Sequence, residues 1–345
     1  MMSRKMKNIS FIGGVVFLFL LLWGAGSLAD APDGFSGFGQ STDISLDDNE
    51  LVFSYYHNDD AALYTVPVSG GEAELLAKPD EGKSFLNPTF SPDGETIVFV
   101  EQWVEETEED ERQYSQLRML DKSSQTVETL MNTSDYITEA AFAPDGESLY
   151  FLKASVYQNY SPIASERPHD FDIFRMDLES GETEQITDKQ AYSMSSLEVT
   201  PDGKQLMYVT NDGQDQLVLH SLDDGTEETI VPEGDFASKA PIISSPTISP
   251  DGTYVVFSDV AATDENNTFV YEAFRMDLDT KQAEQLTSFY EYVSDPVFLH
   301  EQEKLIVTVD KNFAGADPDY SYWQISADGE ERNRVTIEMP EENES

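Results

Sequence analysis

Four tetrapeptides punctuate the chain: Ser91-Pro-Asp-Gly94, Ala143-Pro-Asp-Gly146, Thr200-Pro-Asp-Gly203 and Ser249-Pro-Asp-Gly252. Their prolines fall 52, 57 and 49 residues apart. Two degenerate copies, Ser45-Leu-Asp-Asp48 and Leu299-His-Glu-Gln302, extend the series, and the steps become 46, 52, 57, 49 and 50 residues. Pro presets φ for the second position of a type I turn, Asp suits the third, and Gly takes the left-handed conformation of a G1 bulge. Such a turn reverses the chain between two antiparallel strands. Its residues are assigned no chemistry.

The flanking columns repeat with the turn. Two residues before the Pro position stand Ile44, Phe90, Phe142, Val199, Ile248 and Phe298. Five after it stand Leu51, Ile97, Leu149, Leu206, Val255 and Leu305, and seven after it Phe53, Phe99, Phe151, Tyr208, Phe257 and Val307. The position between them is apolar too (Val52, Val98, Tyr150, Met207, Val256, Ile306), so this strand is predicted to be buried on both faces. A second half follows in each unit, as in Ile173-Phe-Arg-Met-Asp-Leu178 and Ala273-Phe-Arg-Met-Asp-Leu278, then a turn and a short strand such as Glu184-Gln-Ile-Thr187. Four strands per unit and six units predict an all-β fold, a six-bladed β-propeller of four-stranded antiparallel blades.

With its Ser-Pro-Asp-Gly turns followed by strand-forming apolar residues, the sequence resembles the TolB-type propeller family, whose repeats are WD40-like (PD40). The resemblance covers about residues 41–339. It implies the fold and no single activity, since such blades serve binding proteins, peptidase gates and some lyases alike. The family's founding member carries an α/β domain ahead of its propeller. Here residues 30–40 read as a Gly/Phe-rich linker, so no partner of that domain is carried over. Residues 340–345 read as an acidic tail. Ring closure is expected from face-to-face packing, with a strand lent by residues 33–40 as the alternative.

Residues 1–29 read as an export segment. Arg4, Lys5 and Lys7 precede an apolar stretch from Phe11 to Trp23, and Ser27 and Ala29 place small residues before a cut at Asp30. The uncharged run from Asn8 to Ala29 is also long enough to span a bilayer if left uncut. A cleaved signal peptide and a retained anchor both stay open. Either places the acidic body outside the cytoplasmic membrane, secreted or anchored on its outer face.

The charge fits that placement. The 345 residues hold 67 acidic against 20 basic side chains, a net charge of −47, and none of the acidic ones precedes Asp30. Without residues 1–29 the charge is −50. This disfavours nucleic acid and anionic lipid surfaces, because both need Lys and Arg to neutralise phosphate. The membrane is then met only through an uncut N-terminal segment. Cysteine is absent, which removes thiol catalysis, disulfides, Fe–S ligation and a lipidated Cys anchor.

Calling the four strands of a unit A to D, the Pro-Asp-Gly turns join A to B on one rim. The B–C and D–A connections gather on the other, where long loops on a rigid scaffold usually bind. Long B–C loops are read at 101–116, 153–172, 258–272 and 310–321. The candidate ligand-binding residues are His57, Trp103, Tyr157, Tyr160, Arg167, His169, Asp170, Tyr192, Asp212, Tyr290 and Tyr292, a mix of aromatic and polar groups favoured at recognition surfaces. Packing between blades is the alternative role of the aromatics. The run Glu105–Glu111 reads as a solvated loop tip.

Weak calcium candidates are Asp59, Asp60, Asp212, Asp215 and Asp264, none with the spacing of a calcium loop. His57 and His169 alone fall short of a zinc set. Nucleophile-elbow, zincin, P-loop and dinucleotide fingerprints are missing from the sequence. The leading expectation is therefore a non-catalytic, exported, monomeric propeller without cofactor, binding a protein, peptide or cell-envelope polymer through the B–C/D–A rim. The alternatives are a metal-assisted carbohydrate lyase or hydrolase using His57, His169 and mouth carboxylates, and a calcium-stabilised structural module.

Overall fold

The structure is a computed structural model that describes residues 34–106, 111–131, 136–159, 166–211, 213–237, 240–315 and 317–340. Every described strand lies in the compact unit that begins at Ser36, and no helix occurs among the described residues. The export segment at 1–29, Tyr160, Asp212 and the tail beyond Pro340 lie outside the described residues.

The first sheet comprises β1 (Gly37–Ile44), β2 (Glu50–His57), β3 (Asp60–Pro67) and β5 (Glu74–Ala77), with the two-residue strand β4 (Gly71–Glu72) ahead of β5. A second sheet orders β6 (Lys83–Phe90), β7 (Thr96–Glu106), β8 (Glu111–Asp121) and β9 (Thr126–Met131). The third orders β10 (Tyr136–Phe142), β11 (Ser148–Asn159), β12 (Glu166–Asp177) and β13 (Thr183–Gln185). The fourth orders β14 (Ser193–Val199), β15 (Gln205–Asn211), β16 (Asp215–Ser221) and β17 (Glu227–Ile230). All are antiparallel between sequence neighbours.

The remaining strands join in one eight-stranded sheet. One half holds β18 (Ser244–Ile248), β19 (Tyr254–Thr263), β20 (Phe269–Asp277) and β21 (Ala283–Gln285). The other holds β22 (Tyr292–Phe298), β23 (Lys304–Asp310), β24 (Tyr320–Ser326) and β25 (Arg332–Arg334). A single parallel pairing, Tyr271 with Tyr292, connects the halves. The first-strand start at Gly37 places Gly37–Gln40, read as linker from sequence, in a strand of the first sheet.

The turns explain this regularity. In Ser91-Pro-Asp-Gly94 the Gly94 N–H donates to the Ser91 carbonyl at 2.8 Å, and Gly94 has φ 71°. The Ser91 hydroxyl donates to the Asp93 carboxylate at 2.6 Å and accepts the Thr96 N–H at 3.0 Å. Thr200 with Asp202 and Ser249 with Asp251 repeat the bond at 2.8 and 2.7 Å. In the degenerate first copy Asp48 takes the left-handed place at φ 56°, and its carboxylate accepts the N–H groups of His300 and Glu301. The turn without glycine thus ties the last unit to the first.

Leu51, Val52 and Phe53 in the second strand, and their counterparts through Leu305, Ile306 and Val307, are buried on both faces as the columns predict. They feed clusters that each draw on two neighbouring units. One joins Ile44, Leu51 and Phe53 to Leu299, Ile306 and Tyr322, so face packing does link the ends of the repeat. The Tyr322 hydroxyl donates to the Gly39 carbonyl at 2.7 Å, and Thr308 donates to the Gln40 carbonyl at 2.9 Å. A further link was not anticipated: β26 (Ile337–Glu338) pairs in parallel with β4, the short strand between β3 and β5, as a separate two-stranded sheet. Tyr322→Phe is expected to cost about 1–2 kcal/mol, because the buried Gly39 carbonyl loses its donor. Urea melts read this directly, and an unchanged midpoint would show the bond contributes nothing to closure.

Three of the long B–C connections are not loops. The strands run on as two-stranded arms: β7 and β8 pair out to Glu106 and Glu111, β11 and β12 out to Asn159 and Glu166, and β19 and β20 out to Thr263 and Phe269. Cross-strand bonds satisfy backbone groups that a loop would leave to water, and β-branched and aromatic residues favour the extended chain. The acidic-run tip at 107–110 and the arm tip at 160–165 lie outside the described residues. Only the connection at 310–321 stays irregular. It is held by Asp310, whose carboxylate accepts the N–H groups of Asn312 and Asp319, each at 2.8 Å.

Candidate functional site

Each first strand breaks register once, within a few residues before its Pro position. Pairing slips between Phe38 and Thr42, Leu86 and Thr89, Ile137 and Glu139, Ser195 and Glu198, Ser244 and Thr247, and Ser294 and Val297. At four of these bulges a non-glycine residue sits at positive φ: Asn87 at 51°, Ser196 at 58°, Ser245 at 45° and Asp295 at 43°. Left-handed backbone is costly for such residues, and the flanking strands hold it in place. The bulge presents the residue five before the Pro position to a central channel. That column reads Ser41, Asn87, Glu139, Ser196, Ser245 and Asp295, and all six line one cavity of about 460 Å³.

The channel has two chambers. The first also touches Val209, Asp215 and Ile242, on the side of the B–C and D–A connections. The second, also about 460 Å³, lies beside the Pro-Asp-Gly turns and is ringed by Leu46, Pro92, Pro144, Pro201, Pro250 and His300. Thr89, Glu198 and Val297 line both, so they form the wall the two chambers share.

Besides Asp215, four carboxyl groups line the channel, each tied to a neighbouring sheet. Asp43 accepts the Phe90 N–H at 2.7 Å, Glu139 the Leu197 N–H at 3.0 Å and Glu198 the Ile248 N–H at 2.9 Å. Asp295 accepts from the Gln40 side-chain amide at 2.5 Å and the Ser245 hydroxyl at 3.0 Å. Burial pushes Glu139 up to about 7, partly offset by N–H donors, with the charge of Asp295 adding to the rise. Burial likewise lifts Glu198 to about 7, and Asp43 and Glu139 contribute. Asp43 rises to about 6 by burial, held back by N–H donors and His300. Burial raises Asp295 as well. Beyond the channel wall, Asp259 is pushed up to about 7 by burial, with Asp215 contributing, and accepts the Ile242 N–H at 2.8 Å. The four channel carboxyls act first as clasps between neighbouring sheets.

The D–A corners of two units share a second device. Thr187 donates to Asp172 at 2.9 Å and accepts the Ile173 N–H, while Asp172 accepts the N–H of Lys189 at 2.6 Å and of Gln190. In the later unit Thr287 donates to Glu272 at 2.6 Å, and Glu272 accepts the Tyr290 N–H at 2.6 Å. The buried carboxylate holds Tyr290 at φ 59° with its side chain 79% exposed.

The sequence-predicted residues separate into groups. His57 bonds Tyr64 Oη through Nε2 at 3.1 Å and packs on Tyr55, with ring centres 4.8 Å apart. Trp103 stacks on Tyr114 at 5.6 Å across its arm, beneath Lys83 Nζ at 5.1 Å. His169 is buried, with Nδ1 2.8 Å from the Asp170 carboxylate, and Asp170 has φ 59°. Arg167 is exposed on β12, and Tyr157 pairs with Pro168 across the arm through the backbone. His57 and His169 do not line the channel, so the pair imagined beside mouth carboxylates is not assembled there. Each is held at a strand end or arm by its own neighbours.

Among the metal candidates, Asp215 does line the channel and accepts from Asn211 Nδ2 at 2.6 Å. Asp60 accepts the Gly82 N–H at 2.9 Å, Asp59 sits in a tight turn at φ 73°, and Asp264 accepts the N–H groups of Asn266 and Thr268. No group of three or more His, Asp or Glu side chains arranged to hold a metal occurs among the described residues.

Tyr290, Tyr292 and Asp264 do come together, around a cavity of about 350 Å³ between the last two B–C connections. Sequence reasoning missed their companions Phe269, Tyr271 and Phe313, and all four channel carboxyls. The carboxyls did leave a signal: the column five before the Pro position is polar in all six units, and the column three before it holds Asp43 and Glu198, inside a strand otherwise read for its apolar residues.

Twisted four-stranded sheets repeated about a channel lined by their first strands define a β-propeller with a polar central passage. The sequence pattern of the TolB beta propeller domain, PD40, matches residues 40–270, and the chain belongs to that family. Among solved structures it is similar to TolB from Acinetobacter baumannii, with a TM-score of 0.56 and 16% identity over 87% of this chain and 78% of that one. An oligogalacturonate lyase in complex with manganese gives a TM-score of 0.57 and 14% identity over the same shares. A puromycin-hydrolyzing peptidase from Mycobacterium tuberculosis gives 0.56 and 15%, over 91% of this chain and 48% of that one. At such identities the likeness is one of fold. No curated protein matches the chain in sequence.

Proposed function

We propose that the protein is an exported, monomeric, non-catalytic propeller that binds a protein, peptide or cell-envelope polymer through its B–C/D–A rim. In this reading the eight-stranded sheet counts as two blades, making six in all, and the N-terminal segment carries or anchors the body across the membrane. One observation carries it. The exposed large aromatics among the described residues are Tyr192 (48%), Phe269 (54%), Tyr290 (79%) and Phe313 (45%), and all four sit on B–C or D–A connections. Exposed aromatics confined to one rim are what a recognition surface needs and a solvated face does not.

The test compares capture of cell-envelope material by the wild-type body, by Phe269→Ser with Tyr290→Ser, and by Leu46→Ser at the opposite rim. Loss in the first variant alone supports the reading, with at least a tenfold drop for two central aromatics. Equal capture by all three places the binding elsewhere. The alternative of a metal-assisted carbohydrate lyase or hydrolase draws on the fold of the manganese-bound oligogalacturonate lyase. Cleavage of polyuronides by purified protein, stimulated by manganese, would make it the better reading.

A further inference from the structure

The cavity between the last two B–C connections is both aromatic and acidic. Tyr292 and Phe313 lie face to face, with ring centres 4.2 Å apart and planes 2° from parallel. Tyr271 meets both edge-on, at 4.9 and 5.5 Å, which locks the three rings into one block. Phe269 and Tyr290 border the same cavity and stand well exposed. Its carboxylates are Asp264, Glu291 and Asp310 against the one base Lys311. Burial first, then the charge of Asp295 in the channel, push the Tyr292 hydroxyl up to about 12, and among this cavity's own carboxylates Asp310 adds to the rise.

We propose that this cavity binds a cationic side chain, the guanidinium of arginine or the ammonium of lysine, presented by a basic peptide segment. The proposal rests on the rim reading and gives its partner a chemistry. Ring faces attract cations through their quadrupole, and carboxylates at the wall add charge that a purely aromatic shelf lacks. The net charge of −47 draws basic segments toward the protein from a distance. Tyr290 is held in place by the bond of its N–H to buried Glu272, so the site loses little freedom on binding.

The experiment titrates wild-type protein with fluorescent hexa-arginine and with the citrulline hexamer, which keeps the shape and removes the charge. The variants are Tyr290→Ser alone and Tyr290→Ser with Phe313→Ser, which remove rings at constant protein charge. Hexa-arginine is expected to bind the wild type about tenfold more tightly than the double variant, with the single variant between them and citrulline peptide binding weakly. Equal affinity in wild type and double variant would mean that the acidic coat alone attracts the peptide, and would overturn the proposal. Citrulline peptide bound as tightly as arginine would overturn it too, in favour of a neutral ligand. If envelope capture falls in these variants while hexa-arginine binding does not, the rim reading stands and the cationic pocket falls.

Discussion

Gly70→Ala is expected to destabilise the propeller by about 2–4 kcal/mol, the larger part arising from a clash and the rest from backbone strain. Gly70 has φ +88°, and a Cβ there would lie 2.4 Å from the carbonyl oxygen of Thr336. That carbonyl accepts the Gly71 N–H at 2.9 Å, and Glu338 accepts the Ala73 N–H at 2.9 Å two residues on. The obstructing atom belongs to backbone, so the substitution must push β26 away from β4. Gly94→Ala is the matched control, because Gly94 has φ +71° and nothing within 4 Å of the added carbon. It should cost about 1–2 kcal/mol from strain alone. Denaturant midpoints for both, with protease nicking near residue 337 as the local readout, decide between them. Equal losses without added nicking would show that the β4–β26 pairing does not hold the ends of the repeat together.

The closure illustrates what the sequence could and could not reveal. The Pro-Asp-Gly turns and the apolar columns from Leu51 to Val307 specify strand order and burial, because period and turn chemistry are local. The pairing of Ile337 with Gly71 is not local: two short segments at opposite ends of the chain meet only after the ring has formed. The arms at 101–116 and 153–172 were misread for a related reason. Lys, Gln and Glu among their aromatics look like loop composition, yet a two-stranded arm wet on its faces needs no continuous apolar stripe.

The candidate site divides the same way. Tyr290 and Tyr292 were legible as aromatics on a D–A connection, and Asp215 as a calcium candidate. Glu139, Glu198, Asp43 and Asp295 were hidden by the bulges, since a register shift flips residues between faces and a strand read at strict period two cannot show which one enters the channel. His169 shows the opposite error. A histidine near an arm looked available to a ligand, whereas burial and Asp170 occupy it.

The channel carboxyls predict an unusual pH dependence. Glu139 and Glu198 each rise from 4.5 to about 7, so the folded state keeps protons that the unfolded chain releases. Stability from these groups therefore falls as pH rises from about 4.5 to about 7 and stays low above it. Because they face a cavity that can hold water, the loss is about 1–3 kcal/mol for each. The turn aspartates act in the other direction. Hydrogen bonds from Ser91 and the Glu95 N–H hold Asp93 below its ordinary value, and those from Thr200 and Lys204 do the same for Asp202. Their contribution is present above pH 4 and is lost as pH falls through their lowered values. Stability should thus peak near pH 5. The acidic coat gives a similar slope through self-repulsion, but salt screens that share and leaves the buried one. In about 1 M salt, Glu139→Gln with Glu198→Gln should raise stability at pH 8 by about 2–5 kcal/mol and change it much less at pH 5, since an amide oxygen still accepts the Leu197 and Ile248 N–H groups. Urea melts at the two pH values measure both effects. A double variant that keeps the full wild-type slope in high salt would show that these two carboxyls are ionised in the folded channel without cost.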